Sequence, residues 1–93
     1  MKTFKDLEVS VDKHNGIRSQ AMFDNGYGVS VVMGPFTMGG LMGKYELAVI
    51  KYPPGQTFTV IDYNTPIGGP LGHLSEDEVT EYMAKVQELP KIN

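Results

Sequence analysis

The sequence predicts an α+β fold in which a small, meander-like antiparallel β-sheet of about four to five strands carries one C-terminal amphipathic helix. Short segments with strand-like periodicity fill most of the chain, and a single helical pattern follows them. Strands that precede a helix, instead of alternating with helices, are typical of α+β proteins. A length of 93 residues suits one domain, so residues 1–93 are expected to fold as a single unit.

The first three predicted strands form an edge and a hairpin. Residues 4–11 carry apolar side chains at alternate positions with charged residues between them, which predicts a half-buried edge strand. Residues 17–23 and 27–33 are joined through Asn25 and Gly26, the dipeptide that best tolerates a type I′ turn. A strict two-residue loop would put apolar groups on both faces, so either both faces are covered or a bulge shifts the register.

The middle of the chain combines irregular segments with two further strands. Residues 34–43 contain four glycines and no regular period, which indicates a long, mobile connection. Residues 45–52 are apolar on both faces and predict a central strand. After a turn at the two prolines and glycine of 53–55, residues 57–63 predict another strand, and residues 64–72 predict a loop rich in glycine and proline.

Residues 75–89 predict the helix. Ser75 and Glu78 have the spacing of a capping box, and Leu74 with Val79 has the spacing of a hydrophobic staple. Glu81 and an i+4 lysine are expected to form an ion pair. The residues that form one apolar stripe, which we expect to pack on the sheet, are Val79, Tyr82, Met83, Val86 and Leu89.

Composition excludes several functional classes. Eight basic and eleven acidic residues give a net charge of −3, and no basic face is visible, so direct nucleic-acid binding is not expected. The absence of cysteine excludes disulfides, thiolate catalysis and cysteine-based zinc sites. No apolar run reaches the length of a membrane span or a signal peptide, so we expect a soluble protein without membrane contact.

The sequence offers no constellation that predicts catalysis. His14 and His73 each lie beside a turn without an acidic partner, which indicates solvated or capping roles. Gly43 and Lys44 suggest a phosphate loop, but Met38 occupies the position where the first glycine would have to stand, and a strand follows in place of a helix. We therefore expect no enzyme activity, no metal and no cofactor.

Four large apolar residues among the glycines of 34–43 are the first candidate binding residues. One interpretation is that the loop folds back and covers a face of the sheet. The other is an exposed recognition surface, since methionine is flexible and polarizable and glycine allows the loop to adapt. The four residues are Phe36, Met38, Leu41 and Met42.

Three helix acids are the second candidate set. The helix region has five acids against one lysine, which indicates either a solvated face or a patch that docks on a basic partner. Capping and dipole roles account for part of this charge. The acids that remain available for a partner are Asp77, Glu81 and Glu88.

Four runs of the sequence resemble a family of small accessory proteins encoded by tailed bacteriophages. They are residues 23–32, 45–49, 64–67 and 72–79, and none of them is a specific functional motif. The resemblance implies a protein that acts in the cytoplasm of a bacterial host. It carries over no catalytic residue.

Together with the absence of a catalytic pattern, this resemblance implies a non-enzymatic phage protein that binds and inhibits a host bacterial protein, an antiviral-defence component such as a CRISPR or restriction complex. One alternative is a self-associating structural or scaffolding protein, for example a homo-oligomer formed through strand edges. Another is a sponge for a small nucleotide signal, in which backbone amides of the glycine loops would hold phosphate.

Overall fold

The computed structural model describes residues 1–11, 13 and 15–92. Two short 3₁₀ turns, Phe4–Asp6 and Gly40–Met42, accompany the regular elements of these ranges. In chain order the regular elements are β1 (Ser10–Val11), β2 (Ile17–Met22), β3 (Tyr27–Met33), β4 (Tyr45–Lys51), β5 (Val60–Ile61), β6 (Leu71–Leu74) and α1 (Glu76–Gln87).

The strands form one antiparallel sheet, and the order β1-β2-β3-β4-β5 follows the chain as a meander. The edge of β4 that faces away from β3 is shared: β5 pairs with its end at Ile50 and Lys51, and β6 with its start at Tyr45 and Leu47. The predicted α+β class is confirmed. The strand β6 was not predicted, because it lies partly within the glycine- and proline-rich segment 64–72.

The helix begins as predicted. The Glu78 N–H donates to Ser75 Oγ at 3.2 Å, and the Ser75 N–H donates to Glu78 Oε1 at 3.0 Å, so the capping box is confirmed. The bond from the Ser75 N–H is also the main cause that lowers the pKa of Glu78. At 12 residues, α1 is short, and no helix of the described ranges has the length and apolar character needed to cross a bilayer.

The core lies between α1 and one face of the sheet. From the helix, Val79, Met83 and Val86 are fully buried, as the predicted stripe requires. Tyr82 and Leu89 are partly buried at its margins. Burial of each such side chain contributes about 1.5–3 kcal/mol. The sheet and its connection to the helix contribute Val29, Val31, Leu47, Val49 and Leu74.

One predicted surface contact of the helix is wrong. Among the described residues, Lys51 and Asp62 form the one ion pair within 4.0 Å, so Glu81 does not pair with Lys85. The Lys85 ammonium instead lies 4.9 Å from the centroid of the Tyr82 ring. A cation over an aromatic face is attracted by the negative charge of the ring's π system.

The β2–β3 hairpin has a three-residue loop. The Phe23 N–H donates to the Tyr27 carbonyl at 2.8 Å, and the Gly26 N–H donates to the Phe23 carbonyl at 3.1 Å. Gly26 has φ = +90°, the left-handed conformation that follows a type I turn in such loops. A strict two-residue loop is therefore wrong, and the bulge alternative is correct. The resulting register aligns Ala21 with Val29.

Asn25 also connects the hairpin to the end of the helix. Its amide Nδ2 donates to the carbonyls of Val86 and Leu89 at 2.8 and 3.0 Å, and its Oδ1 accepts from the Tyr27 N–H at 3.1 Å. The last carbonyls of a helix lack partners within the helix itself. The Val86 carbonyl also accepts from the Leu89 N–H at 3.2 Å, and the Asn25 side chain, 61 residues away in sequence, gives it a second partner.

Two predicted strands are shorter than expected. In residues 4–11 only Ser10 and Val11 form a strand, which pairs with β2. The start of the segment turns instead at Phe4–Asp6, where the Phe4 N–H donates to Thr80 Oγ1 of the helix at 3.1 Å. In residues 57–63 only β5 pairs. The chain turns away after Asp62, whose carboxylate accepts from the Asn64 N–H at 2.9 Å.

Candidate binding surface

The connection between β3 and β4 is a chain of tight turns. Gly39 and Gly43 have φ = +86° and +72°, values that favour glycine. At Gly40, a side chain would overlap the carbonyl of Gly34. The glycines that the sequence offered as evidence of a mobile segment are thus used to build a compact, hydrogen-bonded turn.

Three apolar side chains of this connection project into solvent. Phe36 is 84% exposed, Leu41 86% and Met42 71%. The interpretation in which they fold back and cover the sheet is therefore wrong for these residues. They are exposed, and their role in recognition stays a prediction. We refer to Phe36, Leu41 and Met42 as the loop patch.

Met38 differs from the other three candidates because it contacts neighbouring elements and is less exposed. Its N–H donates to Glu46 Oε1 at 2.9 Å, and its carbonyl accepts from the His73 N–H at 3.2 Å. Its side chain lies against Gly72, where an added Cβ would overlap it, and it is 44% exposed. Met38 therefore connects this loop to β4 and β6.

The amides of the connection are directed inward. The N–H groups of Thr37, Gly40, Met42, Gly43 and Lys44 all donate to carbonyls within residues 34–40. A phosphate cradle needs several N–H groups that converge on one open point. The geometry of these five amides gives no support to a nucleotide sponge at this loop.

The three helix acids are exposed but do not form one site. Asp77 and Glu88 are eleven residues apart, which is about 16 Å along a helix axis. Asp77, at the start of α1, lines a hollow beside Thr3 and Lys5, whereas Glu88, just after the end of α1, borders a groove. The sequence prediction grouped Asp77, Glu81 and Glu88 by charge alone, and the structure distributes them along α1.

That groove was not predicted. It has a volume of about 470 Å³ and lies between the last turns of α1 and the segment before β6. One side is lined by Tyr82 of α1 and by Leu89, which follows the helix, and the other side by Ile67 and by Leu71, the first residue of β6. Its existence depends on how residues 64–70 fold back, which leaves no periodic signal in the sequence.

A second exposed apolar region lies at β5, the outer strand of the meander. It was also missed, because the segment 57–63 was expected to pack as an ordinary strand. Its exposed members are Tyr52, Phe58, Val60, Ile61 and Tyr63.

The two histidines differ in what the structure describes of them. His73 is exposed and has φ = +58° within β6, where the pairing with β4 is irregular. His14 lies outside the described residues. Within the part of the chain that the structure describes, no three His, Cys, Asp or Glu side chains are grouped to hold a metal ion.

Comparison of the chain with family models, with curated proteins and with solved structures finds no match. The functional argument therefore rests on the surface itself. Its strongest feature is the loop patch, since three large, exposed apolar side chains stand on a connection with several internal backbone hydrogen bonds.

Proposed function

We propose that this chain is a non-catalytic binding module that holds another protein through the loop patch. The observation that carries the proposal is the exposure of Phe36, Leu41 and Met42 on a connection that is fixed by its own hydrogen bonds. Exposed clusters of large apolar residues mark interaction sites more often than isolated ones do.

The energetic argument has two parts. Burial of one such side chain at an interface removes apolar surface worth about 1.5–3 kcal/mol from water. The connection is already ordered by Gly39, Gly43 and the anchor at Met38, so docking does not require a flexible loop to become ordered. Preorganisation of this kind raises affinity because less conformational entropy is lost on binding.

The proposed partner is a protein of a bacterial host. This part of the proposal rests on the resemblance to small bacteriophage proteins, which would place the chain in the host cytoplasm. There it would act as an inhibitor that occupies a surface of an antiviral-defence component, such as a CRISPR or restriction complex. An apolar groove on that component is the surface that would receive the loop patch.

The first experiment identifies the partner. The tagged chain is expressed in the bacterial host and captured, and the proteins that copurify are identified by mass spectrometry. A candidate is then produced in pure form, and its affinity for the chain is measured by calorimetry.

The second experiment tests the loop patch. The triple variant Phe36→Ser, Leu41→Ser, Met42→Ser should bind the purified partner at least about 100-fold more weakly, which corresponds to about 2.7 kcal/mol. A matched control, Val11→Ser with Phe58→Ser, removes exposed apolar side chains elsewhere and should leave the affinity unchanged. Equal affinity of the triple variant and the native chain, with unchanged circular dichroism, would refute the assignment.

A further inference from the structure

The outer edge of β5 carries a peptide group that has no backbone partner among the described residues. The Asp62 N–H donates to the Val49 carbonyl at 2.9 Å, and Lys51 lies opposite Val60. In an antiparallel ladder the N–H and C=O of one residue point to the same side, and successive residues alternate. Since Val60 and Asp62 face β4, both polar groups of Ile61 point away from the sheet.

This edge lacks two of the usual protections against pairing with another chain, charged side chains and proline, and is protected only by its length of two residues. Edge strands are commonly protected by short length, by charged side chains, by proline or by a covering segment. Residues 52–61 contain no charged residue, and Pro53 and Pro54 lie well before the strand. The two nearest charges neutralise each other, because Lys51 Nζ lies 3.0 Å from Asp62 Oδ2.

We propose that a second copy of this chain pairs with the β5 edge, in an antiparallel ladder whose two-fold axis passes beside Ile61. In this arrangement Ile61 lies opposite Ile61 of the second copy and exchanges both backbone hydrogen bonds with it. Val60 of each copy then lies opposite Asp62 of the other. The two sheets continue into one.

A second copy fits this edge because the edge is compatible with itself. An isologous interface brings the same residues together from both sides. At β5 such an interface brings together apolar side chains and the Asp62 carboxylate of each copy. Each of these carboxylates is already paired with Lys51 of its own chain, so no unpaired like charges face each other. The β1 edge at the other end of the sheet is a poorer candidate, because Glu8 and Lys13 flank its two residues.

The short length of the edge predicts weak association. Analytical ultracentrifugation of the native chain from micromolar to near-millimolar concentration should show a sedimentation coefficient that rises from the monomer to the dimer value. A coefficient that stays at the monomer value throughout this range would overturn the proposal.

Charge variants test the register. Ile61→Lys and Ile61→Glu should each remain monomeric, since like charges would face each other across the axis. An equimolar mixture of the two should form a heterodimer. The control Val11→Lys, an exposed residue of β1, should associate as the native chain does. Failure of the mixture to associate, or loss of association in the Val11 variant, would overturn the assignment.

A measurement on the native chain covers the case in which a charge variant does not fold. Exchange of the Ile61 amide proton with solvent should slow as the protein concentration rises, because that proton becomes hydrogen-bonded in the dimer. The amide of Leu41 in the loop patch should exchange at the same rate throughout. An Ile61 exchange rate that does not depend on concentration would contradict the proposed pairing.

Discussion

Replacement of Asn25 should destabilise the protein more than its position in a hairpin loop suggests. Asn25→Ala removes three hydrogen bonds of 2.8–3.1 Å, two of which satisfy carbonyls at the end of α1. A typical intramolecular hydrogen bond contributes about 0.5–1.5 kcal/mol, and the freed carbonyls regain some water, so the expected loss is about 2–3 kcal/mol. A domain of this size has about 5–14 kcal/mol of total stability.

Urea denaturation followed by circular dichroism measures this loss. With a denaturant dependence of about 1–3 kcal/mol per molar urea, the midpoint should fall by roughly 0.7–3 M. Asp24→Ala is the matched control, because Asp24 is exposed in the same loop, and its effect should stay within about 0.5 kcal/mol. An Asn25→Ala midpoint equal to that of the control would refute the helix-capping role.

Asn25→Asp separates the two functions of the side chain. The aspartate still accepts from the Tyr27 N–H, but at neutral pH it places a carboxylate beside the Val86 and Leu89 carbonyls. Its destabilisation should therefore equal or exceed that of Asn25→Ala at neutral pH. It should diminish at acidic pH, where the protonated carboxyl group can donate a hydrogen bond. A pH-independent difference between the two variants would contradict this explanation.

Three further predictions concern stability. Ser19→Ala should raise the free energy of unfolding by about 1 kcal/mol in urea titrations, because the Ser19 hydroxyl is buried without a partner among the described residues. Ser75→Ala should lower it by about 1 kcal/mol and speed amide exchange in the first turn of α1. The N–H of Asn64, and then Lys51, hold the pKa of Asp62 below its usual value of about 3.9. The ionised Asp62 carboxylate therefore stabilises the folded protein above that pH, and this stabilisation is lost as the pH falls through the lower pKa of the folded state. In thermal melts, the melting temperature of Asp62→Asn should fall less steeply with decreasing pH than that of the native chain.

The fold was predictable where local chemistry determines it. Ser75 and Glu78 define the start of the helix through neighbouring residues alone, and the stripe from Val79 to Val86 determines its buried face. The hairpin was predictable in place but not in register, because Asn25 and Gly26 fit both a two-residue loop and the tail of a three-residue one.

The elements that were missed depend on distant contacts. The strand β6 is fixed by the bond between the His73 N–H and the Met38 carbonyl, and it requires a positive φ at a histidine. Neither condition leaves a periodic pattern in residues 64–72. The exposure of Phe36 and Leu41 likewise follows no periodic pattern within residues 34–43, so the sequence left the packed and exposed alternatives open.

The contacts of Asn25 also bear on the chemical lifetime of the molecule. Asparagine followed by glycine deamidates readily in a flexible chain, because the glycine nitrogen attacks the side-chain carbonyl carbon. In the folded protein the Gly26 N–H is bound to the Phe23 carbonyl, and the Asn25 amide is held by the helix end. Folding therefore slows this ageing reaction, whereas each opening of the hairpin exposes the chain to conversion into the aspartate form. That form lacks the amide donor, so one deamidation event makes the next opening more frequent.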